Sequence, residues 1–590
     1  MLDLRLYRVT LLPFAILLIV AAFSLHPRPA ALASTPAAQT FSAADTLSRM
    51  RRLAAAYPDL APGSAGDDAL AAALATQTPP YGLADSHAFP VLRVVHSNVE
   101  TTSGARTVTA VIASRAGVGA GIALIADRGG SQSGSPAALA PTATLLELAA
   151  IYENLSTNRP LTLVSTSGGA SAMSAVAAAL PPDIEAAIVI GDVADARGRG
   201  PYVVPWSGAG ALAPVQLRQT VEAAIAAAIS RPVGDVALAD QLARLALPVT
   251  TGPQGPLDAA GIPAVFVTAG GESPPSPGAA SSNPTAVGAF GQALLGVSME
   301  LDGGPTLANA PTRDLAMGTQ VLGGWAVRVV VGGLLLSLLL CTLDVLARAR
   351  RRRAPVGRWV GWVLSFAAPF VLAGVFAAFL GVGGLLPATP AAPVTPAELP
   401  VSGSGAAALV SIGLLFLLAW VLRAAARARS RFRGPPEPVG AGAALLLTGT
   451  ATAALLWLAN PYTAALLIVP MHLWLVVVTR EHRRPPLLGA LYVVLSLVPL
   501  GAAVALLASG LHTEPFALAW TLVMLIAGGG LSAGGLLLAG LTAGLFVAAA
   551  AILLRPGMLA PEQRIEVTVR GPLSYAGPGS LGGTQSALRR

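Results

Sequence analysis

The residues with the clearest chemical potential lie in loops beside short apolar segments. The stretch TGPQGPLDAAGIPAVFVTAGG, residues 251–271, combines a Gly/Pro-rich loop, a Gly-Ile-Pro-Ala turn and an apolar strand. Loops that feed a core strand often carry catalytic groups. The central polar side chain of this loop is Gln254, which has no His, Cys or Glu beside it. The loop therefore either performs unfamiliar chemistry or has lost the chemistry it once had.

Other polar residues near turns offer weaker candidates. Ser165, Ser167 and Ser171 surround a Gly-Gly turn, but a nucleophilic serine needs a base, and no His is close in sequence. Small polar residues filling a turn are the more ordinary interpretation. Asp192 and Asp195 end an apolar segment. They are typical of a turn or a solvated loop edge, and the alternative is a weak single-cation site at Asp192.

The composition is that of a membrane protein with a water-exposed part. Of the 590 residues, 54% are hydrophobic and 11% are charged, and the mean hydropathy is +0.67. Soluble proteins carry about 25% charged residues, so much of the chain is expected in lipid. The net charge of +8 does not indicate nucleic-acid binding, because the arginines cluster between apolar runs. The single cysteine, Cys341, excludes a disulfide framework and a Cys-based zinc site.

Residues 42–314 have the pattern of an α/β domain. Short apolar runs bounded by turn residues predict buried strands, and helical patterns lie between several of them. This alternation predicts a three-layer domain with a mostly parallel sheet covered on both faces. The predicted strands are Arg106–Ser114, Ala120–Ala126, Leu161–Ser167, Ala186–Gly191 and Pro263–Ala269, and the predicted helices are Ala138–Asn154, Ala170–Leu180 and Pro214–Ala228.

Residues 1–30 and 315–555 are expected in the membrane. The apolar run Leu11–Leu25, preceded by two arginines, predicts an uncleaved signal anchor, with a cleavable signal peptide as the alternative. A span needs about 20 apolar residues, which predicts an all-α bundle of about eight helices after residue 315. The candidate spans are Val321–Leu346, Trp359–Leu385, Ala406–Val421, Gly440–Leu458, Ala464–Val478, Leu487–Ala508 and two within Phe516–Leu554.

The number of spans and their orientation follow from glycines and arginines. Gly528–Gly535 would be a poor helix interior, so it predicts a turn between two spans and nine spans in all, with eight as the alternative. Arginine clusters follow every second span, at 348–353, 423–433 and 480–484. This alternation predicts cytoplasmic arginine loops and an α/β domain outside the cytoplasm of a bacterial membrane. Residues 556–590 are predicted to form a flexible tail.

Six segments of the α/β part, taken in order, resemble the di-zinc aminopeptidase family, peptidase family M-28. The resemblance covers most of residues 47–271 and implies a zinc-exopeptidase-like fold. The segments are YPDLAPGSAGDDALAAALA at 57–75, IALIADRGG at 122–130, TATLLELA at 142–149, LTLVSTSGGASAM at 161–173, AAIVIGDVAD at 186–195 and GPQGPLDAAGIPAVFVT at 252–268.

The resemblance also locates the positions at which that family binds metal. Two-metal hydrolysis needs His and carboxylate ligands and a carboxylate base. In this register only the Asp192 position keeps its ligand type, and one carboxylate cannot hold two zinc ions. The first His position is Asp127, the Glu-Glu pair is Gly169 and Ala170, the last His is Gln254, and two further Asp positions are Gly129 and Ala137. The resemblance therefore implies an inactive domain with no metal cofactor.

One ionisable residue lies near the middle of a predicted span. His472, next to Pro470, could be a proton or ligand site, because intramembrane ionisable residues are often functional. An interhelical hydrogen bond within the bundle is the more ordinary interpretation. The spans show no clear internal repeat of the kind found in many transporters.

The whole plan resembles in outline the Gaa subunit of the GPI transamidase, which also joins a peptidase-like domain to a helical bundle. An architectural likeness does not carry over a substrate. We expect an integral membrane protein whose inactive peptidase-like domain binds a peptide, glycan or partner protein, or braces a membrane complex. The alternatives are a metallo-exopeptidase with unusual ligands, and a transporter or lipid-handling protein. The expected partner is the lipid bilayer, with a protein of a membrane complex as a further candidate, and no nucleic acid is expected.

Overall fold

A computed structural model describes most of the chain. The described residues are 4–33, 39–76, 88–101, 104–128, 136–194, 200–230, 233, 236–272, 283–307, 311–386, 390, 392–394, 396, 399–429, 438–478 and 486–554. Several predictions fall outside them: the tail at 556–590, the ligand-type position Gly129, Asp195 and the arginines at 480–484.

In the described part of the chain, ten strands form two sheets. The strands are β1 (Leu25–Pro27), β2 (Val91–Thr101), β3 (Gly104–Arg115), β4 (Gly121–Asp127), β5 (Leu161–Thr166), β6 (Ile184–Ile190), β7 (Tyr202–Val204), β8 (Ala264–Thr268), β9 (Leu315–Met317) and β10 (Gln320–Leu322). The large sheet has the order β2-β3-β5-β4-β6-β8-β7, and the small one has the order β1-β10-β9. The small sheet joins the segment after the first helix to the segment before the membrane bundle.

The large sheet combines a parallel centre with antiparallel edges. Strands β5, β4, β6 and β8 are mutually parallel, which agrees with the expected mostly parallel sheet. Strands β2, β3 and β7 join in antiparallel pairs. The five predicted strands are all present. The additional strand β2 alternates exposed and half-buried residues, so it lacks the continuous apolar run that marks the central strands.

Nine α-helices precede the bundle among the residues that the structure describes. They are α1 (Leu4–Ala22), α2 (Ala43–Ala56), α3 (Ala65–Leu74), α4 (Ala140–Glu153), α5 (Gly169–Ala179), α6 (Val215–Ile229), α7 (Leu238–Ala246), α8 (Gln254–Ala259) and α9 (Pro284–Gly303). The three predicted helices correspond to α4, α5 and α6. Ser42, Ser64 and Asn283 cap α2, α3 and α9 by accepting hydrogen bonds from backbone N–H groups of the first turn.

The helices cover both faces of the large sheet. Along β4 the side chains of Ile122, Leu124 and Ala126 face a core shared with α4, α6 and α9. Ala123 and Ile125 face the opposite core, which extends without a break into the membrane bundle. This alternation is the period-two pattern of a strand buried on both faces. The three-layer α/β fold is therefore confirmed.

The remaining helices form the bundle. They are α10 (Gly324–Arg351), α11 (Val356–Leu364), α12 (Ala368–Val382), α13 (Gly403–Arg429), α14 (Pro438–Ala459), α15 (Pro461–Val478), α16 (Pro486–Gly510), α17 (Pro515–Ala527) and α18 (Ala533–Leu553). Every predicted apolar run after residue 315 coincides with one of them or with the α11–α12 pair. Pro369 accompanies the break between α11 and α12, because proline removes a backbone donor and is tolerated only in a first turn.

Seven helical segments within the described part of the chain are long and apolar enough to cross a membrane. The multi-pass membrane architecture is therefore supported. The predicted turn in the last apolar stretch is present at 528–532, between α17 and α18. However, α17 has only 13 residues, fewer than the roughly 20 that a straight span requires. The choice between eight and nine spans stays a prediction, as do the domain limits at 30, 42, 314 and 555.

Candidate functional site

The structure brings the predicted site positions to one edge of the large sheet. Asp127 ends β4, Gly169 and Ala170 begin α5 directly after β5, and Asp192 follows β6. Gln254 begins α8, the helix that leads into β8. Because β5, β4, β6 and β8 are parallel neighbours, their carboxyl ends share this edge, which is where open α/β sheets bind ligands. Ala137 lies in a short 3₁₀ helix at 136–139.

Asp127 is an incompletely satisfied carboxylate. Its Oδ1 atom is buried and has no hydrogen-bond partner among the described residues. Burial raises the pKa of the Asp127 carboxyl from 3.8 to about 6, although the backbone N–H of Gly169 and the charge of Arg128 favour the ionised form. Gly168 and Gly169 both have positive φ, 91° and 55°, a conformation that glycine adopts without strain. This turn brings the N–H of Gly169 to the carboxyl group.

A fully buried ion pair lies directly beside Asp127. Arg128 Nε donates to Asp67 Oδ1 at 3.1 Å, and neither side chain is exposed to solvent. The other guanidinium nitrogens donate to the carbonyl oxygens of Ser165 and Thr109. Ser167 Oγ donates to Asp67 Oδ2 at 2.5 Å. Hydrogen bonds on every side are what a buried charge pair requires.

Two serines that were candidates for a chemical role form hydrogen bonds within this network. Ser165 accepts a weak bond from Arg128 Nη1 at 3.3 Å, and Ser167 is bonded to Asp67. Their hydroxyl groups therefore fix the turn between β5 and α5. Sequence reasoning missed the Arg128–Asp67 pair, because the two residues are 61 positions apart. The available signal was two adjacent charged residues in each of two otherwise apolar segments, Asp67 with Asp68 and Asp127 with Arg128.

Gln254 is fully buried and belongs to a second network. Its Nε2 donates to the Trp206 carbonyl oxygen at 2.9 Å and to Thr250 Oγ1 at 3.1 Å. A Cβ atom on Gly252 would lie 2.1 Å from Gln254 Oε1, so the glycine gives the amide room to fold inward. Oε1 has no partner within the described residues. The amide thus fastens its own loop to the protein interior.

The second network continues to a buried ion pair. Glu272 accepts hydrogen bonds from the Thr250 hydroxyl and from the Thr251 backbone N–H, the latter at 3.0 Å. It pairs with Arg244 Nη2 at 2.6 Å. Arg244 lies 5.5 Å from the Trp206 ring centroid. Through these contacts the Gln254 loop is tied to α7.

Helix α7 in turn contacts the membrane bundle. Asn460 Nδ2 donates to the Leu245 carbonyl oxygen at 2.7 Å, and Thr463 Oγ1 donates to the Ala246 carbonyl oxygen at 2.6 Å. Arg244 packs so closely against α16 that a Cβ atom on Gly510 would lie 2.8 Å from its Nη2. The Gln254 loop is therefore connected through Glu272, Arg244 and α7 to α15 and α16.

Two other acidic residues of the region stabilise turns. Asp192 Oδ1 accepts from the Ala194 N–H at 3.0 Å, and the Asp192 carbonyl oxygen accepts from the Ala269 N–H at 2.7 Å. Asp258 accepts from the Ala264 N–H at 2.9 Å, which fixes the Gly-Ile-Pro-Ala turn to α8. Burial raises the pKa of Asp258 well above its usual range.

The residues at this edge do not fit a pair of zinc ions. Two zinc ions need several His and carboxylate ligands, whereas this edge offers the carboxylates of Asp127 and Asp192 and the amide of Gln254. Within the described ranges no group of three or more His, Cys, Asp or Glu side chains is placed to hold a metal ion. Two acceptor atoms at this edge, Asp127 Oδ1 and Gln254 Oε1, are buried and have no hydrogen-bond partner among the described residues.

His472 lies on α15 and faces α10. Its Nδ1 is 2.8 Å from the Ile468 carbonyl oxygen one turn earlier, and its Nε2 is 3.5 Å from Ser337 Oγ. The second distance is at the limit for a hydrogen bond. The contact with Ser337 agrees with the interhelical interpretation, and a transport role gains no support from these contacts.

Comparison with known proteins gives structural likenesses only. No family model and no curated protein match the sequence. A zinc aminopeptidase from Bacillus subtilis is 10% identical, with 46% of this chain and 97% of that chain covered and a TM-score of 0.35. LapB from Legionella pneumophila is 14% identical, with 47% and 78% covered and a TM-score of 0.35. A glutaminyl cyclase from an Acidobacteriales bacterium is 12% identical, with 46% and 99% covered and a TM-score of 0.32. The fold described above rests on the strand order and packing.

Proposed function

We propose that the chain is an integral membrane protein whose peptidase-like domain is catalytically inactive and serves as a binding and scaffolding module. The observation that supports this proposal best is the placement of Gln254. In the register of the resemblance Gln254 corresponds to the family's last metal-binding His, and the donor of its amide is bonded to Trp206 and Thr250. A side chain held in this way stabilises its loop and leaves the position without a zinc ligand.

The connection between this loop and the bundle supports a scaffolding role. The chain of contacts from Gln254 through Glu272 and Arg244 reaches α15 and α16. Binding of a peptide, glycan or partner protein at the sheet edge would therefore change the contacts that the domain makes with α15 and α16. We place the domain outside the cytoplasm of a bacterial membrane, because the described arginines at 348–353 and 423–429 lie at the bundle end away from the domain.

A metal and hydrolysis assay tests the absence of catalysis. We expect the full-length protein, purified in detergent with zinc present throughout, to retain less than one zinc ion per chain and to release no amino acids from peptides. Stoichiometric zinc together with peptide hydrolysis that is lost in Asp127→Asn and Asp192→Asn would establish the exopeptidase alternative instead. Retained zinc without hydrolysis would leave the domain inactive but would contradict the ligand assignment.

Crosslinking in native membranes tests the binding role. We expect the full-length protein to capture a reproducible partner, and Asp127→Arg to abolish the capture because the longer side chain fills the sheet edge. Arg52→Gln is the matched control, because Arg52 is exposed on α2 and bonds only Ser48 of its own helix in the described structure. Equal capture by the wild type and Asp127→Arg would exclude the sheet edge as the binding surface.

A further inference from the structure

The end of the bundle away from the α/β domain is strongly basic. We call this the far end. It comprises the end of α10, the start of α11 and the end of α13. Within the described residues of these segments the only carboxylate is Asp344, which pairs with Arg348. The described arginines of these segments, with the turn at 352–355 included, number nine, and they are Arg348, Arg350, Arg351, Arg352, Arg353, Arg358, Arg423, Arg427 and Arg429. Such a surface attracts anionic headgroups.

Aromatic rings surround the arginines at the far end. The Arg423 guanidinium carbon lies 3.3 Å from the Phe366 ring centroid and 5.3 Å from that of Trp420. Arg427 lies 5.2 Å from the Trp362 centroid. Trp359 and Trp362 contact each other edge to face at 5.8 Å. These six residues form one continuous group between α11 and α13, which we call the aromatic–arginine cluster.

Three hydrogen-bond donors in the cluster lack an acceptor. Trp359 Nε1, Trp362 Nε1 and Arg423 Nη2 are buried without a hydrogen-bond partner among the described residues. The Nε of Arg423 donates to a neutral partner, Ser365 Oγ, at 3.0 Å. A buried donor without an acceptor is costly. A group of residues that offers hydrogen-bond donors and positive charge, without acceptors, is complementary to an anionic oxygen.

The opposite end of the bundle shows the same residue types with their donors satisfied. Arg328 lies 5.9 Å from the Trp457 ring centroid. Its Nη2 donates to the Leu458 carbonyl oxygen at 3.0 Å, and Trp457 Nε1 donates to the Arg328 carbonyl oxygen at 2.8 Å. An Arg–Trp pair in this bundle can therefore use backbone acceptors. The aromatic–arginine cluster differs because its acceptors are missing within the described structure.

We propose that the aromatic–arginine cluster binds the phosphate group of an anionic phospholipid. Trp362, Arg423 and Arg427 are half-buried, so a phosphate can reach them from the surface with a movement of side chains. On α13, Leu417 and Leu422 flank the face that carries Arg423 and Arg427 and are 60% and 59% exposed, so acyl chains of the same lipid would lie against them. The donors would bind the phosphate and the leucines would contact the acyl chains, so the site favours a lipid over free phosphate. The proposal holds for either orientation of the chain in the membrane.

Lipid binding by the full-length protein in nanodiscs tests the proposal. The probes are nanodiscs of phosphatidylcholine alone, of phosphatidylcholine with phosphatidylglycerol, and of phosphatidylcholine with added inorganic phosphate. Lipid retention is measured by native mass spectrometry after release from the disc, and thermal unfolding is followed in parallel. We expect the wild type to retain phosphatidylglycerol selectively and to unfold at a higher temperature in its presence.

Two variants remove donors from the cluster. Trp362→Phe keeps an aromatic ring and removes only the indole N–H, and Arg423→Gln removes the charge. Each should weaken phosphatidylglycerol retention by about tenfold, the equivalent of one charge-assisted hydrogen bond. The matched controls at the opposite end, Trp457→Phe and Arg328→Gln, should retain the lipid as the wild type does.

Three results would overturn the proposal. Equal retention of phosphatidylglycerol by Trp362→Phe, Arg423→Gln and the wild type would exclude the cluster as the site. Equal loss in the controls and the cluster variants would show a general effect of the bundle on lipid binding. Stabilisation by inorganic phosphate equal to that by phosphatidylglycerol would show that the ligand is free phosphate.

Discussion

The α/β domain and the membrane bundle bury polar groups in different ways. The domain buries ion pairs, of which Arg128–Asp67 and Arg244–Glu272 flank the candidate site. The bundle interior, as far as it is described, pairs neutral groups, such as Thr342 with Thr450 at 3.0 Å. Trp474 Nε1 likewise donates to a serine hydroxyl, that of Ser496. The buried charges at the sheet edge are thus paired and hydrogen-bonded within the domain itself.

The difference follows from what surrounds each region. A bilayer penalises every ionisable group within a span, so neutral hydrogen bonds join the helices there. A water-exposed domain can bury a charge only when a partner and several hydrogen bonds accompany it. The sheet edge meets this condition twice, at Arg128 and at Glu272. Variants at these two residues and at Thr450 should therefore differ in their effects by several fold.

The largest effect is expected at Arg128. Arg128→Met leaves Asp67 charged and buried without its partner, and should lower the free energy of unfolding by about 3–5 kcal/mol. The double variant Arg128→Met with Asp67→Leu removes both charges and should recover a large part of this loss. Thermal unfolding in detergent, followed by near-UV circular dichroism, measures both. A double variant less stable than the single variant would show instead that Asp67 stabilises the fold through its bonds with Gly63 and Ser167 even without Arg128.

Glu272 should have the next largest effect. Glu272→Gln keeps the shape of the side chain but removes the charge that faces Arg244, and should cost about 2–3 kcal/mol. Hydrogen exchange should increase in α7 and at the start of α15, because Arg244 and α7 form the contact with the bundle. The control is Glu147→Gln, whose partner Arg49 is partly exposed and whose loss should cost less than about 1 kcal/mol. If hydrogen exchange in α15 were unchanged, the candidate site would not be coupled to the bundle.

Substitution of Asp127 tests a carboxyl group of the same sheet edge that has an oxygen without a hydrogen-bond partner in the described structure. Its pKa is raised from 3.8 to about 6, so the unfolded chain ionises first as the pH rises. The carboxyl therefore favours the folded state below about pH 4 and loses this contribution between pH 4 and 6. Asp127→Asn should raise stability at pH 7 by about 1–2 kcal/mol and flatten the pH dependence over that interval. A loss of stability at pH 7 would reveal a partner that stabilises the carboxylate.

Sequence reasoning succeeded where the structure depends on local patterns. Strands such as β6 are uninterrupted apolar runs between turn residues, and the two helices of the last apolar stretch are separated by glycines at 528–530. It missed β2, whose half-exposed residues mix polar and apolar types, and α7, which has nine residues. The sheet order also lay beyond it, because strand neighbours are set by packing over long sequence distances.

The candidate site could likewise be predicted only in part from the sequence. The segments that place Asp127, Asp192 and Gln254 at one edge could be ordered by their resemblance to a known family. The hydrogen bonds around these positions could not be predicted from the sequence. The partners of Arg128 and Gln254 include the backbone carbonyl oxygens of Ser165 and Trp206. A carbonyl oxygen is present at every residue, so the sequence carries no mark of which one accepts.

The smallest effect is expected within the bundle. Thr450→Val preserves the shape of the side chain and removes its hydroxyl bond with Thr342, and should cost about 0.6 kcal/mol, the average for such bonds between membrane helices. Unfolding in mild detergent by the same method as for Arg128→Met measures the loss. A cost equal to that of Arg128→Met would mean that neutral pairs in the bundle matter as much as buried charges in the domain. The contrast between the two regions would then be one of chemistry and not of energy.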